Sequence, residues 1–242
     1  MLIFTDLDDT LMKTTRKMGS LESCSVGACD VDQNPSSYID PSRQLLINTL
    51  LDNNTIIPVT ARSFMAMSRV QLNFKHEKII NFGGTILNSD NSINNEWHSL
   101  MLNQLLIHDY YKAINLLKEV LSKNLEKNYK IIERSENEVF IFLNLRNSNL
   151  DLQENYALKD NIDQFFKITD LSHLFYMYVT DRDVTIIPTF IKKENAVAFI
   201  KKSYNTACIG MGDHLNDLPF MKLCDFTLFP NDSLIAQQLY GN

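Results

Sequence analysis

Short apolar runs bounded by turn residues recur along this chain at residues 2–6 (LIFTD), 55–60 (TIIPVT), 78–82 (KIINF), 206–211 (TACIGM) and 226–229 (FTLF). Runs of this length, separated by stretches of helical character, predict buried strands of parallel βαβ units. The clearest helix is predicted over 41–52: Asp40-Pro41 supplies an N-cap and a first-turn proline, and Leu45, Leu46, Ile47 and Leu50 form its apolar side. Pro58 sits poorly inside a strand, since proline removes a ladder donor and belongs at edges and strand ends.

The middle of the chain has a different rhythm. Helix 100–125, strands 129–135 and 138–145, helix 153–167, and strands 174–180 and 183–188 follow in turn. Two strands after each helix mean hairpins instead of crossovers, so residues 85–185 are expected to form an α+β domain inserted into a parallel α/β core made of 1–84 and 186–242. Residues 13–40 are polar and without period, which in a compact domain marks a functional or disordered loop.

Composition narrows the function classes. With 242 residues, 45% of them hydrophobic, the chain can fill a substantial core. A net charge of −6, with no basic cluster longer than a pair such as Lys192-Lys193 or Lys201-Lys202, argues against nucleic acid as a partner. No run reaches the roughly 18 apolar residues of a membrane span, so a cytoplasmic protein that does not engage membranes is expected. Its four cysteines show no zinc spacing and are read as reduced thiols. Nothing in the sequence sets the oligomeric state.

The chemistry gathers at strand ends. Asp6, Asp8 and Asp9 crowd behind the first strand, Thr60 ends the second, and Asp213 and Asp217 follow the strand at 206–211. Ligands of open α/β sheets bind just beyond these carboxyl ends. Four of the seven glycines, Gly83, Gly84, Gly210 and Gly212, fall in the adjoining turns, where a close backbone approach is useful. Carboxylates about 4 Å apart repel by about 4 kcal/mol at an effective dielectric of 20, so Asp6, Asp8, Asp213 and Asp217 together call for a cation. An all-oxygen set with few protein ligands favours Mg²⁺, often completed by a substrate phosphate, for which Lys193, Thr60 and Ser63 offer partners.

These residues carry a resemblance. "DLDDT" (Asp6 to Thr10) resembles the first motif of the haloacid dehalogenase-like phosphohydrolases. "PVTARS" is similar to their second motif, "IKKENAV" to their lysine motif and "GMGDHLNDLPFM" to their acidic motif, all in the family's order. The insertion between Thr60 and Lys193 resembles the αββαββ cap of the sucrose-phosphate phosphatase and Cof-like subgroup. The resemblance implies a Rossmann-like doubly wound core with a substrate-specificity cap, and a phosphatase that acts on a sugar phosphate or similar small metabolite.

Site roles follow by the same resemblance. Asp6 is the nucleophile that forms an aspartyl-phosphate, and Asp8 the proton donor and acceptor. Mg²⁺ is held by Asp6, Asp8 through its carbonyl, Asp213 and Asp217, and the phosphate side is formed by Thr60, Ala61, Arg62, Lys193 and Asn216. A phosphomutase of the same superfamily is the nearest alternative, although Arg134, Arg146 and Arg182 are few for a second phosphate site. A phospho-accepting signalling domain is the alternative from another class. The sequence departs from the family pattern at Asp9, where many relatives have glycine, at "TAR" in place of "TGR", and at "NFGGT". Asp9 is left without a role.

Overall fold

The computed structural model describes residues 1–51, 53–107 and 109–241. Its contacts divide the chain into two compact units, Met1–Trp97 with Lys192–Asn242, and His98–Ile191. In the first unit β1 (Leu2–Thr5) is buried along its whole length. The segment 13–40, expected as an irregular loop, is instead built from β2 (Lys13–Thr14), β3 (Ser25–Cys29) and β4 (Pro35–Ile39), paired antiparallel in the order β2-β4-β3. Its strands are short and mostly polar, so the alternation that betrays a strand is lost; only Gly27, Ala28, Ser37 and Ile39 among β3 and β4 turn fully inward. Gly27 is required there, because a Cβ would lie 2.9 Å from Met12 Cβ.

Helix α1 (Pro41–Leu51) begins at Asp40, whose carboxylate accepts from the Arg43 amide at 2.9 Å. Asp52, the expected last residue of this helix, lies outside the described residues. Ile47 is buried and Leu46 and Leu50 pack against the same cluster, whereas Leu45, expected inside, is 70% exposed. Strand β5 (Thr55–Pro58) runs parallel to β1, from Leu2 opposite Thr55 to Thr5 opposite Pro58. Pro58 is its last residue, where the missing donor costs no ladder bond, and Val59 N resumes pairing with Thr5 O at 2.7 Å. After α2 (Phe64–Met67), β6 (Lys78–Ile80) joins through a parallel bridge between Val59 and Ile79 and pairs antiparallel with β7 (Thr85–Leu87).

The division at Trp97/His98 falls inside α3 (Asn95–Ile107), which is followed by α4 (Tyr110–Asn124). The single helix expected over 100–125 is thus two. Asp109 takes φ 51°, a left-handed residue that a continuous helix does not admit, and Leu106 and Ile107 before it are exposed. His108 lies outside the described residues, as does Asn242. In the inserted unit β8 (Tyr129–Glu136) and β9 (Val139–Asn147) form one hairpin, α5 (Leu152–Ile168) follows with Asp151 as its N-cap, and β10 (Phe175–Val179) and β11 (Asp183–Pro188) form a second. The sheet order is β10-β11-β9-β8, all antiparallel.

The chain then re-enters the first unit with α6 (Lys193–Lys201), β12 (Cys208–Met211), α7 (Leu218–Met221), β13 (Phe226–Leu228) and α8 (Leu234–Tyr240). Its central sheet has the order β13-β12-β1-β5, entirely parallel. The fold is α/β with an inserted α+β unit, as the sequence implied. Its boundaries differ from the expected 84/85 and 185/186. Residues 85–97 stay with the first unit because β7 pairs with β6 and the Trp97 ring packs, tilted, with its centroid 5.1 Å from that of Phe199, while β11 carries the inserted sheet on to Pro188 opposite Phe175. Among the described residues no helix is long and apolar enough to cross a membrane.

Candidate active site

Strand register brings the chemistry together. Thr5 lies opposite Met211 on one side and Pro58 on the other, so the segments that follow β1, β5 and β12 leave the sheet at one end. Asp6 is fixed there by its amide bond to Met211 O at 2.8 Å. The chain then folds into a compact turn in which Leu11 N and Met12 N both donate to Leu7 O, at 2.9 and 3.1 Å. Asp9 makes the bend at φ 64°, a conformation that favours glycine and that aspartate tolerates better than most residues. Two glycines permit the remaining approaches. A Cβ on Gly212 would lie 2.5 Å from Asp217 Cβ, and one on Gly83 would lie 2.4 Å from Lys192 O, immediately before Lys193.

At the centre, Lys193 Nζ donates to Asp6 Oδ1 at 2.6 Å and to Asp217 Oδ1 at 2.7 Å. The other Asp217 oxygen accepts from the amides of Asp213 and His214 at 3.3 and 3.1 Å, and Thr10 Oγ1 donates to Asp213 Oδ1 at 3.3 Å. Carboxylate oxygens of Asp6, Asp213 and Asp217 lie within 4.8 Å of one another, and all three residues are buried. Burial, reinforced by the neighbouring carboxylates against the pull of Lys193, raises the Asp6 carboxyl well above its ordinary range. Burial, with Asp217 and Asp9, pushes Asp213 up to about 7. Lys193 moves the other way from what burial alone would do, because Asp6 and Asp217 hold it charged. Three buried carboxylates against one lysine leave an excess of negative charge, and the donors are all oxygen. These residues fit a hard divalent cation.

Asp8 is apart from this trio and belongs to a fork: Arg62 Nε and Nη2 reach its two oxygens, each at 2.7 Å. The Asp8 side chain therefore faces a guanidinium. Thr60 is buried, its amide bonded to Ile79 O at 2.9 Å and its hydroxyl accepting from the Arg62 amide at 3.2 Å. Ala61 and Asn216 are exposed, and the Asn216 amide donates to His214 Nδ1 at 3.2 Å. Ser63, considered a phosphate partner, accepts from the Ala66 amide at 3.4 Å as the cap of α2. Sequence reasoning missed two cations beside the Asp6 turn. Lys17, from the 13–40 segment, pairs with Asp9, and Arg43 reaches the carbonyls of Asp9 and Thr10. Arg43 was visible only as one more polar position on a helix, and no spacing signal ties it to residues 9 and 10.

The parallel sheet in this order, with an inserted α+β unit, is a fold also seen in solved phosphatases and in a haloacid dehalogenase-like hydrolase. Solved structures that share it include sucrose-phosphatase from Synechocystis sp. PCC6803 in complex with sucrose and phosphate, at 15% identity and TM-score 0.63, covering 100% of this chain and 87% of that one. A trehalose-6-phosphate phosphatase related protein matches at 17% identity and TM-score 0.55, covering 95% and 86%. A haloacid dehalogenase-like hydrolase from Bacteroides thetaiotaomicron matches at 14% identity and TM-score 0.54, covering 99% and 98%. No family model and no curated protein matches the sequence.

Proposed function

We propose that this protein is a Mg²⁺-dependent phosphomonoester hydrolase that acts on a sugar phosphate or a similar small phosphorylated metabolite. The observation that carries the reading is the clustering of the Asp6, Asp213 and Asp217 carboxylates just beyond β1 and β12, with Lys193 bonded to Asp6 and Asp217 and with Asp8 two residues along the same turn. The substrate class is supported by sucrose-phosphatase and the trehalose-6-phosphate phosphatase related protein, which share the fold.

In this reading Asp6 attacks phosphorus and expels the sugar alkoxide, giving an aspartyl-phosphate that water then cleaves. Asp8 gives a proton to the departing oxygen and recovers one from the attacking water. Asp6, the Asp8 carbonyl and Asp213 would hold Mg²⁺, with Asp217 orienting them, and the bound ion supplies charge stabilisation to the phosphoryl oxygens. Lys193 does the same from the protein side while it restrains the Asp6 carboxylate. Thr60 and Arg62 follow the adjacent strand β5 and would bind the phosphate oxygens.

Phosphate release from a panel of sugar phosphates and from p-nitrophenyl phosphate, with Mg²⁺ and with EDTA, tests the assignment. Turnover that requires the metal and is abolished in Asp6→Asn is expected. An inactive wild type, or an Asp6→Asn variant that matches it, sinks the proposal. Stable phosphorylation of the chain without turnover points to a signalling domain.

A further inference from the structure

Arg43 sits in the first turn of α1, yet its side chain turns away from the helix and is only 11% exposed. Its Nε donates to Thr10 O at 2.9 Å and its Nη2 to Asp9 O at 3.2 Å. From behind, Asp40 Oδ2 holds Nη1 at 2.5 Å and Asp232 Oδ1 holds Nη2 at 3.3 Å. One planar group thus spans the Asp6 turn, the start of α1 and the approach to α8. The two carbonyls belong to the residues where the chain bends through φ 64° at Asp9. Thr10, whose carbonyl Arg43 fixes, also sends its hydroxyl to Asp213.

We propose that Arg43 is a positioning residue for the nucleophile turn: by fixing the Asp9 and Thr10 carbonyls it sets the aim of Asp6 and Asp8 and the placement of Asp213. The proposal rests on the phosphatase reading for its kinetic consequence, though not for its geometry. A lysine keeps the charge and loses the fork, since an ammonium reaches one carbonyl at a time from a flexible stem. Misplacement of reacting groups by about 1 Å costs up to about 100-fold in rate. A loss on that scale is expected when the turn is free to move.

The test compares wild type with Arg43→Lys and Arg43→Ala, using p-nitrophenyl phosphate at saturating Mg²⁺, together with thermal melting. Expected are a kcat lower by roughly 10- to 100-fold in both variants with KM little changed, a Tm in Arg43→Lys close to wild type, and recovery of Arg43→Ala turnover by free guanidinium at concentrations far below those that unfold the protein. A wild-type kcat in Arg43→Ala, or a loss that Arg43→Lys repairs fully, overturns the proposal. If wild type itself shows no hydrolysis, the phosphatase reading has failed, and amide exchange at Asp9, Leu11 and Met12 decides the role of Arg43. Faster exchange in both variants upholds the turn-positioning role, and unchanged exchange overturns it.

Discussion

Replacing Lys193 by methionine removes the cation that touches both Asp6 and Asp217 while keeping the apolar stem. At 2.6 and 2.7 Å and an effective dielectric of 20, each contact is worth about 6 kcal/mol of Coulomb attraction before the cost of burying the charges is counted. Breaking one partner out of a buried ionic set is known to cost about 3–5 kcal/mol, because the charges left behind are uncompensated. A destabilisation of that size is expected for Lys193→Met at pH 8 without divalent metal. At pH 5 it should be smaller, since Asp213, pushed up to about 7 chiefly by burial, takes up a proton and relieves the repulsion. Added Mg²⁺ should restore part of the loss at pH 8 by supplying the missing charge. Urea unfolding at the two pH values, with and without Mg²⁺, measures all of this. A loss under about 1 kcal/mol at pH 8, within the range of an exposed pair, or an equal loss at both pH values, refutes the view of Lys193 as the cluster's internal counterion.

Gly83→Ala places a methyl 2.4 Å from Lys192 O on a backbone at φ 96°, so a loss of about 2–4 kcal/mol is expected with activity falling as Lys193 is displaced; a variant with wild-type Tm and kcat contradicts it. In the inserted unit Asn155 is fully buried, donating to Thr180 O at 2.8 Å and accepting from Tyr129 OH and Asn147 at 2.9 and 3.0 Å. Asn155→Ala should cost about 2–4 kcal/mol by chemical denaturation, since several buried partners lose their bond at once. The wild type should also lose stability as pH rises in EDTA. Asp213 keeps its proton up to about 7 when folded, chiefly through burial, and releases it near 3.9 when unfolded, so the folded state binds more protons in that window and raising pH favours unfolding by up to about 4 kcal/mol. A flat profile between pH 4 and 7 argues against so strained a carboxyl.

The parallel strands were legible because each is a short apolar run, buried along the whole of β1 and most of β5 and β12, and the hairpins of the inserted unit because β9 and β11 are similarly apolar. Asp6, Lys193, Asp213 and Asp217 were legible as a group because acids repeated at strand ends have no packing use, and they do meet. The hidden features depend on tertiary context. Segment 13–40 forms a sheet through backbone bonds that leave little mark on residue type, and the break at Asp109 carries neither glycine nor proline. Asp9, without a role in the sequence, proves to be the left-handed residue of the turn, paired with Lys17. Arg43 was invisible because it acts on a turn 33 residues away, and Lys17 because it reaches Asp9 from the segment 13–40, whose structure the sequence does not betray.

Strand β1 lies between β5 and β12, and its two neighbours are made at very different times during synthesis. β5 is complete at Pro58 and β12 only at Met211, after the whole inserted unit has been translated. Until then the nascent chain holds a strand destined for full burial, LIFT, with one unpaired side, the kind of open edge that recruits other chains. Because the insertion stands between the two halves of the sheet, its speed of folding sets how long that edge stays open. Expression yield should therefore be most sensitive to lesions in the inserted hairpins, far in sequence from the strand they expose.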